Sequence, residues 1–325
     1  MIIARAPYRV SFLGGSTDYP LWYRENGGAV LSTTIDKYAW ITLRYLPPFF
    51  EHKHRIVYSQ EERAQHVGEI RHPAVRECLR FTGVEEGIEL HHDGDVPARS
   101  GLGTSSSFTV GLLHALHALK GEMPTKLQLA NEAIHVERDL IGENVGSQDQ
   151  TAAAFGGLNR IDFGPGDEIK VQPIVLKRER LEELQSHLML LYSGFSRTAS
   201  QVVEEQLTQT PNKGVELRRM HQMVDEGIAI LTGGGDISDF GKLLQEGWEL
   251  KRSLSSKVGP IYVNAVIDTA LAVGALGAKV CGAGGGGFIL LFADPALHER
   301  IVRKLGLLHV PFRFESEGSR VVYHG

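Results

Sequence analysis

Five glycines stand within six consecutive positions near the end of the chain, in the stretch AKVCGAGGGGFILLF. They are Gly282, Gly284, Gly285, Gly286 and Gly287. A glycine costs roughly 0.5–1 kcal/mol of backbone entropy relative to alanine, so five together need a reason. A flexible hairpin tip would be one, but the apolar segments on both sides are typical of a buried core. We therefore expect the backbone here to approach a ligand closely.

A second glycine-containing stretch, SGLGTSSSF, runs from Ser100 to Phe108 and precedes an apolar segment with helical spacing. It predicts a helix from Thr104 to Lys120. Backbone amides at a helix N-terminus attract anions, and glycine leaves them unshielded. Simple N-capping is the alternative, but one hydroxyl would suffice for a cap. The pattern lacks the lysine of a P-loop. The amides and hydroxyls expected to bind phosphate belong to Gly101, Leu102, Gly103, Thr104, Ser105, Ser106 and Ser107.

The N-terminal stretch RAPYRVSFLGGSTDYP places Arg9 on a predicted strand and ends in a polar turn that contains Asp18. A turn with an aspartate is common, and its side chain often only stabilises the turn. An arginine on the surface of a strand is common too. This stretch therefore carries weight only in combination with the two glycine-containing stretches.

Composition excludes several classes of protein. The chain has 325 residues, 42% of them apolar, and a net charge of −5, which gives no electrostatic footprint for nucleic acid. The two cysteines, Cys78 and Cys281, lie far apart, so we expect no disulfide framework and a cytoplasmic location. We also expect no membrane span and no zinc site, because no long apolar run and no HExxH motif occurs.

Strands and helices mix without strict alternation, which favours an α+β fold with two lobes over a Rossmann sheet. The charged run KRERLEEL predicts the boundary, with an N-terminal domain over 1–180 and a C-terminal domain over 181–325. GGLNRIDF is predicted as an edge strand and HLMLLYSG as a buried strand.

Glu137 lies on the apolar stripe of a helix predicted from Thr125 to Glu143, three residues after Ile134 and three before Leu140. A carboxylate that faces inward must be paired, protonated or bound to a cation. A buried salt bridge would meet this requirement, and so would a metal ion.

Asp149 lies in the stretch GSQDQTAAAF, where Ser147 and Gln150 have the spacing of a capping box. This places Asp149 in the first helical turn, where the helix dipole favours its ionised form. An aspartate that only compensates the dipole is frequent at such a position, so the spacing leaves a catalytic role open.

Taken together and in this order, the three stretches resemble the galactokinase, homoserine kinase, mevalonate kinase and phosphomevalonate kinase (GHMP) superfamily. The motifs that carry the resemblance are APYRVSFLGGSTDYP, PARSGLGTSSS and GAGGGGF, and they extend from residue 5 to about residue 290. The resemblance implies an N-terminal lobe like domain 2 of ribosomal protein S5 and a ferredoxin-like C-terminal lobe.

The resemblance also implies ATP as the phosphate donor and Mg²⁺ as the metal. Glu137 matches the metal-binding glutamate of the family, with Ser105 or Thr104 as its hydroxyl partner. Asp149 matches the catalytic aspartate. Arg9 matches the arginine expected beside that aspartate and the transferred phosphoryl group. Gly284 and Gly285 lie in the motif expected to close over the nucleotide.

Within the superfamily, the chain resembles the bacterial D-glycero-D-manno-heptose 7-phosphate kinases, which act on the anomeric hydroxyl in nucleotide-activated heptose synthesis. The segments AIHVERDLIGENVGSQDQTAAAFGGLN and YSGFSRTAS carry this likeness. Galactokinases have Glu-His where this chain has Gly15 and Ser16, which counts against galactose. The resemblance places the sugar at Gly15, Ser16, Thr17 and Asp18.

A sugar phosphate needs basic groups in an acidic protein. Arg197 and Lys37 are the first candidates, and Lys251 with Arg252 are further ones. A kinase for an unphosphorylated sugar such as fucose or galactose is the rival interpretation, and it predicts no basic cluster at the distal end of the substrate. A regulator that binds sugar and nucleotide without catalysis would be expected to lack Asp149 or Glu137. The sequence leaves open whether the chain forms a homodimer.

Overall fold

Two sheets organise the chain. The computed structural model describes residues 1–194, 199–255 and 257–325. The strands in these ranges are β1 (Ile2–Leu13), β2 (Gly28–Tyr45), β3 (His54–Val57), β4 (Glu61–Ala64), β5 (Ile88–Gly94), β6 (Leu158–Phe163), β7 (Ile169–Pro173), β8 (Leu188–Tyr192), β9 (Gly277–Val280), β10 (Phe288–Phe292), β11 (Leu308–His309), β12 (Phe314–Glu315) and β13 (Arg320–His324). The α-helices are α1 (Pro20–Asn26), α2 (Pro73–Thr82), α3 (Thr104–Leu119), α4 (Lys126–His135), α5 (Gln148–Phe155), α6 (Arg178–His187), α7 (Ala199–Gln209), α8 (Gly214–Thr232), α9 (Ser238–Ser253), α10 (Ile261–Val273) and α11 (His298–Leu305).

The first sheet has nine strands, with a path of β13-β1-β2-β5-β3-β4 to which β6, β7 and β12 are added. Its pairings are antiparallel except for the pair β3–β5. Helix α3 packs against β1 and β2. The N-terminus of this helix therefore lies beside the part of β1 that carries Arg9.

The second sheet has four strands in the order β11-β8-β10-β9. Every residue of β10 is buried. Both faces of the strand are covered, each by a different hydrophobic cluster. Phe288, Leu290 and Phe292 pack in the same cluster as Val10 and Phe12 of β1. Ile289 and Leu291 pack with helices α10 and α11 on the other face. Successive side chains of a strand point to opposite faces. One face of β10 therefore packs in a core that the second sheet shares with β1 of the first.

The last two strands return to the first sheet. β12 pairs with β2, and β13 pairs with β1. The predicted division into domains over 1–180 and 181–325 remains a proposal. The pairing of β12 and β13 shows that the end of the chain belongs to the first sheet.

The structure corrects two predictions about local elements. The strand Leu158–Phe163 is not an edge strand, because it lies between β2 and β7. Its second partner contains a proline and is partly exposed, so its sequence pattern is weak. The helix that begins after Thr125 does not continue to Glu143 as a regular α-helix. It ends at His135 and passes into a π-helical turn, Val136–Leu140.

No helix in the described ranges combines the length and the apolar character needed to cross a membrane.

Candidate active site

A cavity of about 470 Å³ opens where the two glycine-containing stretches meet. Its walls come from the polar turn after β1, the N-terminus of α3, the segment 142–150, helices α7 and α9, and the glycine run before β10. A second depression lies between α10 and α11, and the basic groups that line it, such as Arg300 and Arg303, are exposed on the surface. Residues predicted for the site, among them Arg9 and Asp149, line the first cavity.

Arg9 and Asp149 form a two-pronged ion pair in this cavity. The arginine Nε donates to Oδ1 of the aspartate at 2.7 Å, and Nη2 donates to Oδ2 at 2.7 Å. Nη1 donates to the carbonyl oxygen of Gly101 at 2.7 Å. The arginine side chain is 3% exposed and the aspartate side chain 24%. The carboxylate is therefore oriented by the buried guanidinium and still accessible from the cavity, as a group that meets a substrate must be.

The loop before α3 fits closely around this ion pair. The backbone N–H of Arg9 donates to the carbonyl of Leu102 at 3.0 Å. A Cβ on Gly103 would lie 3.3 Å from Cγ of Arg9 and 3.4 Å from Oδ2 of Asp149. The glycine therefore admits both side chains to the N-terminus of the helix.

The two glycine-containing stretches also contact each other through their backbones. A Cβ on Gly101 would lie 2.5 Å from the carbonyl oxygen of Cys281, and a Cβ on Gly282 would lie 2.7 Å from Cα of Gly101. The N–H of Phe288 donates to the carbonyl of Ser100 at 2.9 Å. The close approach predicted for the glycine run is thus made, in this structure, to the other loop.

Replacing Gly287 by alanine is expected to lower the free energy of unfolding by roughly 2–5 kcal/mol. Gly287 has φ of +91°, and a Cβ there would lie 2.2 Å from the carbonyl oxygen of Ser100. Gly306 has φ of +64°, and a Cβ there would meet no atom within 4 Å, so Gly306→Ala is the matched control, at about 1–2 kcal/mol. Urea unfolding of both variants measures the difference. Equal losses would show that the contact between the two loops contributes nothing to stability.

Asp18 is buried at the edge of the cavity. Its Oδ1 accepts from the backbone N–H of Ser16 at 3.0 Å, and its Oδ2 accepts from that of Gln148 at 3.4 Å. Burial, and the nearby charge of Asp149, raise the pKa of Asp18 to about 6. A Cβ on Gly146 would fall 1.9 Å from Oδ2 of Asp18, so glycine is required where the two segments meet.

Glu137 faces inward as predicted and is 1% exposed. Its Oε1 accepts from the hydroxyl of Thr109 at 2.7 Å. Its Oε2 accepts from the hydroxyl of Ser106 at 2.8 Å and from the amide of Gln150. Burial raises the pKa of Glu137 to about 7, and these hydrogen bonds only partly offset it. In the part of the chain that the structure describes, the carboxylate has neutral donors but no ion pair, so the salt-bridge alternative does not apply.

Two predicted local contacts are absent from the described structure. Ser147 precedes α5, but its side chain makes no capping hydrogen bond and is instead 3.2 Å from the hydroxyl of Tyr23. Gln150 is drawn to Glu137, so no capping box forms. The hydroxyls that contact Glu137 belong to Ser106 and Thr109, whereas Ser105 faces the cavity one position earlier on the helix.

The structure brings most of the predicted site residues to the cavity. Those that line it are Arg9, Ser16, Asp18, Gly101, Gly103, Thr104, Ser105, Ser106, Asp149, Gly284 and Gly285.

Other predicted residues lie behind the cavity wall. Leu102 and Ser107 are fully buried, and the Ser107 hydroxyl donates to the carbonyl of Pro7 at 2.9 Å. Thr17 is also buried, and its hydroxyl donates to the carbonyls of Gly14 and Ala29. A Cβ on Gly15 would lie 3.8 Å from the hydroxyl of Ser11.

The structure does not bring Lys37 to the cavity. Its Nζ donates to the backbone carbonyl and the carboxylate of Asp36, each at 3.1 Å. The ammonium of Lys37 is therefore bound by its sequence neighbour Asp36. Lys37 itself lies on β2, away from the polar turn after β1. Arg197 lies outside the described residues.

Sequence reasoning missed several cavity residues, among them Tyr19, Glu143 and Gln206. It also missed Lys279, a buried residue of β9 whose Nζ donates to the carbonyls of Ser11 and Phe12 at 2.7 and 2.8 Å. The one available signal was an isolated lysine inside the apolar segment that precedes the glycine run.

Two family models match parts of the chain. Residues 69–157 match the family model of the GHMP kinases N-terminal domain, and residues 228–308 match that of the GHMP kinases C-terminal domain. The two matches together cover just over half of the chain.

Individual relatives are similar over nearly the whole length. A D-glycero-alpha-D-manno-heptose 7-phosphate kinase of Campylobacter jejuni is 27% identical over 94% of this chain and 93% of its own. A bifunctional fucokinase/GDP-fucose pyrophosphorylase of Arabidopsis thaliana is 25% identical over 94% of this chain and 31% of its own.

The fold is also that of solved structures. A D-glycero-D-manno-heptose 1-phosphate kinase from Bacteroides thetaiotaomicron superposes with a TM-score of 0.80, at 25% identity and complete coverage of both chains. A mevalonate kinase structure superposes with a TM-score of 0.74 at 18% identity. The chain has the mixed α and β fold of these kinases and belongs to the GHMP kinase family of phosphotransferases.

Proposed function

We propose that the protein is an ATP-dependent sugar 1-kinase that converts D-glycero-D-manno-heptose 7-phosphate and ATP to heptose 1,7-bisphosphate and ADP. The observation that carries the proposal is the Arg9–Asp149 ion pair, held in the cavity directly at the N-terminus of α3. A carboxylate beside an anion-binding helix end is the arrangement that phosphoryl transfer to a hydroxyl needs.

Asp149 is proposed as the base. It accepts the proton of the anomeric hydroxyl as the sugar oxygen forms a bond to the γ-phosphorus and the bond from that phosphorus to the bridging oxygen of ADP breaks. The transition state of this reaction is loose, so little deprotonation is needed before the bond forms. Arg9 keeps the carboxylate oriented, and its guanidinium stabilises the charge that develops on the transferred group.

The nucleotide phosphates are proposed to bind the backbone amides that face the cavity, those of Gly101 and of 103–106. Leu102 and Ser107 are buried, and the N–H of Ser107 already donates to the carbonyl of Gly103. Helix α3 is sixteen residues long, and its first turn faces the cavity through Thr104, Ser105 and Ser106. The unpaired amides and the dipole of a helix N-terminus favour an anion there. Gly284 and Gly285 line the opposite wall, where the backbone can approach the nucleotide without side chains between them.

The residues around Glu137 fit a divalent cation. The carboxylate is buried among neutral donors, and Oε1 of Gln150 is buried without a hydrogen-bond partner in the described structure. The described residues hold no cluster of three or more metal-binding side chains, but Mg²⁺ in kinases is usually bound by one or two carboxylates with substrate phosphates and water. Glu137 and the hydroxyl of Ser105 would hold it. An ion held there would supply positive charge that neutralises the phosphate groups.

The heptose assignment is supported by the relatives whose names include a heptose phosphate. Asp18 and Ser16 line the cavity, and the buried carboxylate of Asp18 is proposed to accept a hydrogen bond from a sugar hydroxyl. Gly15 and Ser16 stand where galactokinases have Glu-His. The likeness to a fucokinase supports the second candidate, a 1-kinase for an unphosphorylated sugar.

The decisive measurement is the initial rate of Mg²⁺-dependent ADP release. D-glycero-D-manno-heptose 7-phosphate would be compared with fucose, galactose and mannose. Heptose 1-phosphate is a further arm, because one structural relative bears that name. We expect kcat/KM for the 7-phosphate to exceed every other acceptor by at least tenfold, about 1.4 kcal/mol of transition-state binding. If a free hexose is the best acceptor, the proposed kinase chemistry still holds, but the heptose assignment is wrong. No ADP release with any sugar above the sugar-free blank would favour a regulator.

A further inference from the structure

Lys251 is a buried lysine that faces the candidate active site. It lies on α9, its residue is 8% exposed, and it lines the same cavity as Arg9 and Asp149. Its Nζ donates to the carbonyl oxygen of Gly282 in the glycine run. An ammonium in such a place has lost most of its hydration and needs compensation from the groups around it.

That compensation is incomplete among the described residues. An ammonium group has three N–H donors, and the carbonyl of Gly282 is the one acceptor within hydrogen-bond distance of this one in residues 1–194, 199–255 and 257–325. No carboxylate in these ranges lies within 4 Å of Nζ. Burial lowers the pKa of Lys251 to about 8, and the more distant charges of Asp18 and Asp149 only partly oppose this effect.

The other cationic groups of the cavity are placed differently. The guanidinium of Arg9 is already bound to both oxygens of Asp149 and to the carbonyl of Gly101. Arg99 lines the cavity from an exposed position. Lys251 therefore is the buried cation of the described cavity wall that retains free donors.

Lys279 shows what a structural lysine looks like in the same region. It is buried to a similar degree, but its Nζ donates to two carbonyls of β1, at 2.7 and 2.8 Å, and it does not line the cavity. Lys279 ties the second sheet to the first. Lys251 makes no such connection, since its one acceptor belongs to the loop that forms the cavity wall.

The position of Gly282 indicates what Lys251 would meet. A Cβ on Gly282 would fall 2.7 Å from Cα of Gly101, so the carbonyl that anchors the ammonium lies beside the loop that precedes α3. Anions are expected at that loop, and Asp18 and Asp149 approach from the sugar side. The charges of Asp18 and Asp149 act on Lys251, so its ammonium lies near both the proposed phosphate loop and the proposed sugar subsite.

We propose that Lys251 is a catalytic residue whose ammonium binds a phosphoryl oxygen in the cavity. This inference rests on the proposed kinase function and deepens it. The oxygen could come from two sources, the γ-phosphoryl group in transfer or the phosphate that the sugar substrate already carries. Both supply the negative charge that a buried and partly unpaired ammonium lacks.

The test compares Lys251→Met with Lys251→Arg and with Arg252→Met as the matched control. Arg252 is the next residue of the same helix and was a candidate for the sugar phosphate by sequence, but it is exposed and does not line the cavity, so the structure does not bring it to the site. We expect Lys251→Met to lose about 10²–10³-fold in kcat/KM for the sugar phosphate, as the loss of one preorganised donor typically does. Lys251→Arg should recover part of this loss, and Arg252→Met should stay within twofold of the wild type.

Two acceptors distinguish the sources. If Lys251 binds the transferred group, kcat falls by a similar factor with heptose 7-phosphate and with the unphosphorylated heptose. If it binds the sugar phosphate, KM rises for the 7-phosphate alone and kcat/KM for the free heptose is unchanged. A Lys251→Met enzyme that folds and remains within threefold of wild type with both acceptors would overturn the proposal.

Binding measured without turnover separates this inference from the proposed function. Should the wild type phosphorylate no sugar, calorimetric titration with inorganic phosphate and with a non-hydrolysable ATP analogue still tests the site. Tighter binding of either anion by the wild type than by Lys251→Met supports the anion site even then. Equal binding by the two folded proteins, together with equal turnover where turnover exists, rejects it. Thermal unfolding of each variant confirms that the comparison concerns folded protein.

Discussion

Asp149→Asn is expected to lower kcat by about 10²–10⁴-fold, the range in which a positioned general base contributes. Asparagine keeps the size of the side chain and one acceptor for Arg9, but it cannot take the proton of the sugar hydroxyl. Because Arg9 is 3% exposed and loses its counter-charge, we also expect a small loss of stability, about 1–3 kcal/mol. Steady-state rates with ATP and the best acceptor measure the first effect, and urea unfolding measures the second.

Asp162→Asn is the matched control for this experiment. Asp162 also pairs with an arginine, Arg160, at 2.8 Å, but it lies on β6 and does not line the cavity. Its replacement should leave kcat within twofold. If Asp149→Asn retains more than a tenth of wild-type kcat while the nucleotide still binds, Asp149 is not the base and the proposed mechanism is wrong.

Glu137→Gln is expected to reduce activity and, at neutral and alkaline pH without divalent cations, to increase stability. The amide cannot supply the charge that Mg²⁺ requires, so kcat/KM should fall by about 10²-fold and the Mg²⁺ concentration for half-maximal rate should rise.

The gain in stability has a separate cause. The pKa of Glu137 is raised by burial from its ordinary value of 4.5 to about 7, so the folded protein holds this proton where the unfolded chain has released it.

The sign of the pH dependence follows from that difference. Between pH 4.5 and 7 the folded state binds more protons at this site than the unfolded state, so the wild type loses stability as the pH rises. Glutamine has no proton to lose. The free energy of unfolding of the variant, relative to that of the wild type, should therefore increase between pH 5 and pH 8 by up to about 3 kcal/mol.

Urea unfolding in EDTA at pH 5 and pH 8 measures this gain, and a Mg²⁺ titration of the initial rate measures the loss of function. Glu132→Gln is the control, because Glu132 lies on α4, is partly buried and pairs with His117 at 2.7 Å. Its removal should cost stability and leave the Mg²⁺ requirement unchanged. An unchanged Mg²⁺ requirement in Glu137→Gln would show that Glu137 does not bind the metal.

Local chemistry was predictable from the sequence where a residue type has few uses. The glycines of the two stretches indicated close backbone approach, and those at 101, 282 and 287 lie where the two loops meet. The helix from Thr104 was predicted to within one residue of its end at Leu119. The inward direction of Glu137 was predicted correctly from the apolar residues that precede it, although Glu137 lies in the π-helical turn and Leu140 is exposed.

Contacts between distant segments were not predictable in this way. The capping box at Ser147 and Gln150 was wrong because Glu137, thirteen residues earlier, competes for the amide of Gln150. The edge strand at 158–163 was wrong because its partner β7 carries too weak a pattern to be read as a strand. In both cases a contact with a residue or strand outside the segment decided the outcome. The local sequence pattern does not identify that contact.

Lys37 and Lys251 show the same division between sequence and structure. Both were candidates because a sugar phosphate needs a cation, and their sequence contexts did not separate them. Lys37 is bound by its neighbour Asp36, whereas the packing of α9 against the second sheet carries Lys251 to the cavity.

The sequence by itself determined the family motifs, the helix proposed to bind the phosphates and the residue types available for catalysis, because these depend on backbone freedom and on periodicity within one segment. Only the tertiary structure decided which charges meet. Arg9 and Asp149 are 140 positions apart, and their ion pair exists because α3 and α5 pack against β1 and against each other. Coulomb and hydrogen-bond energies act over a few ångströms in space, whatever the separation along the chain.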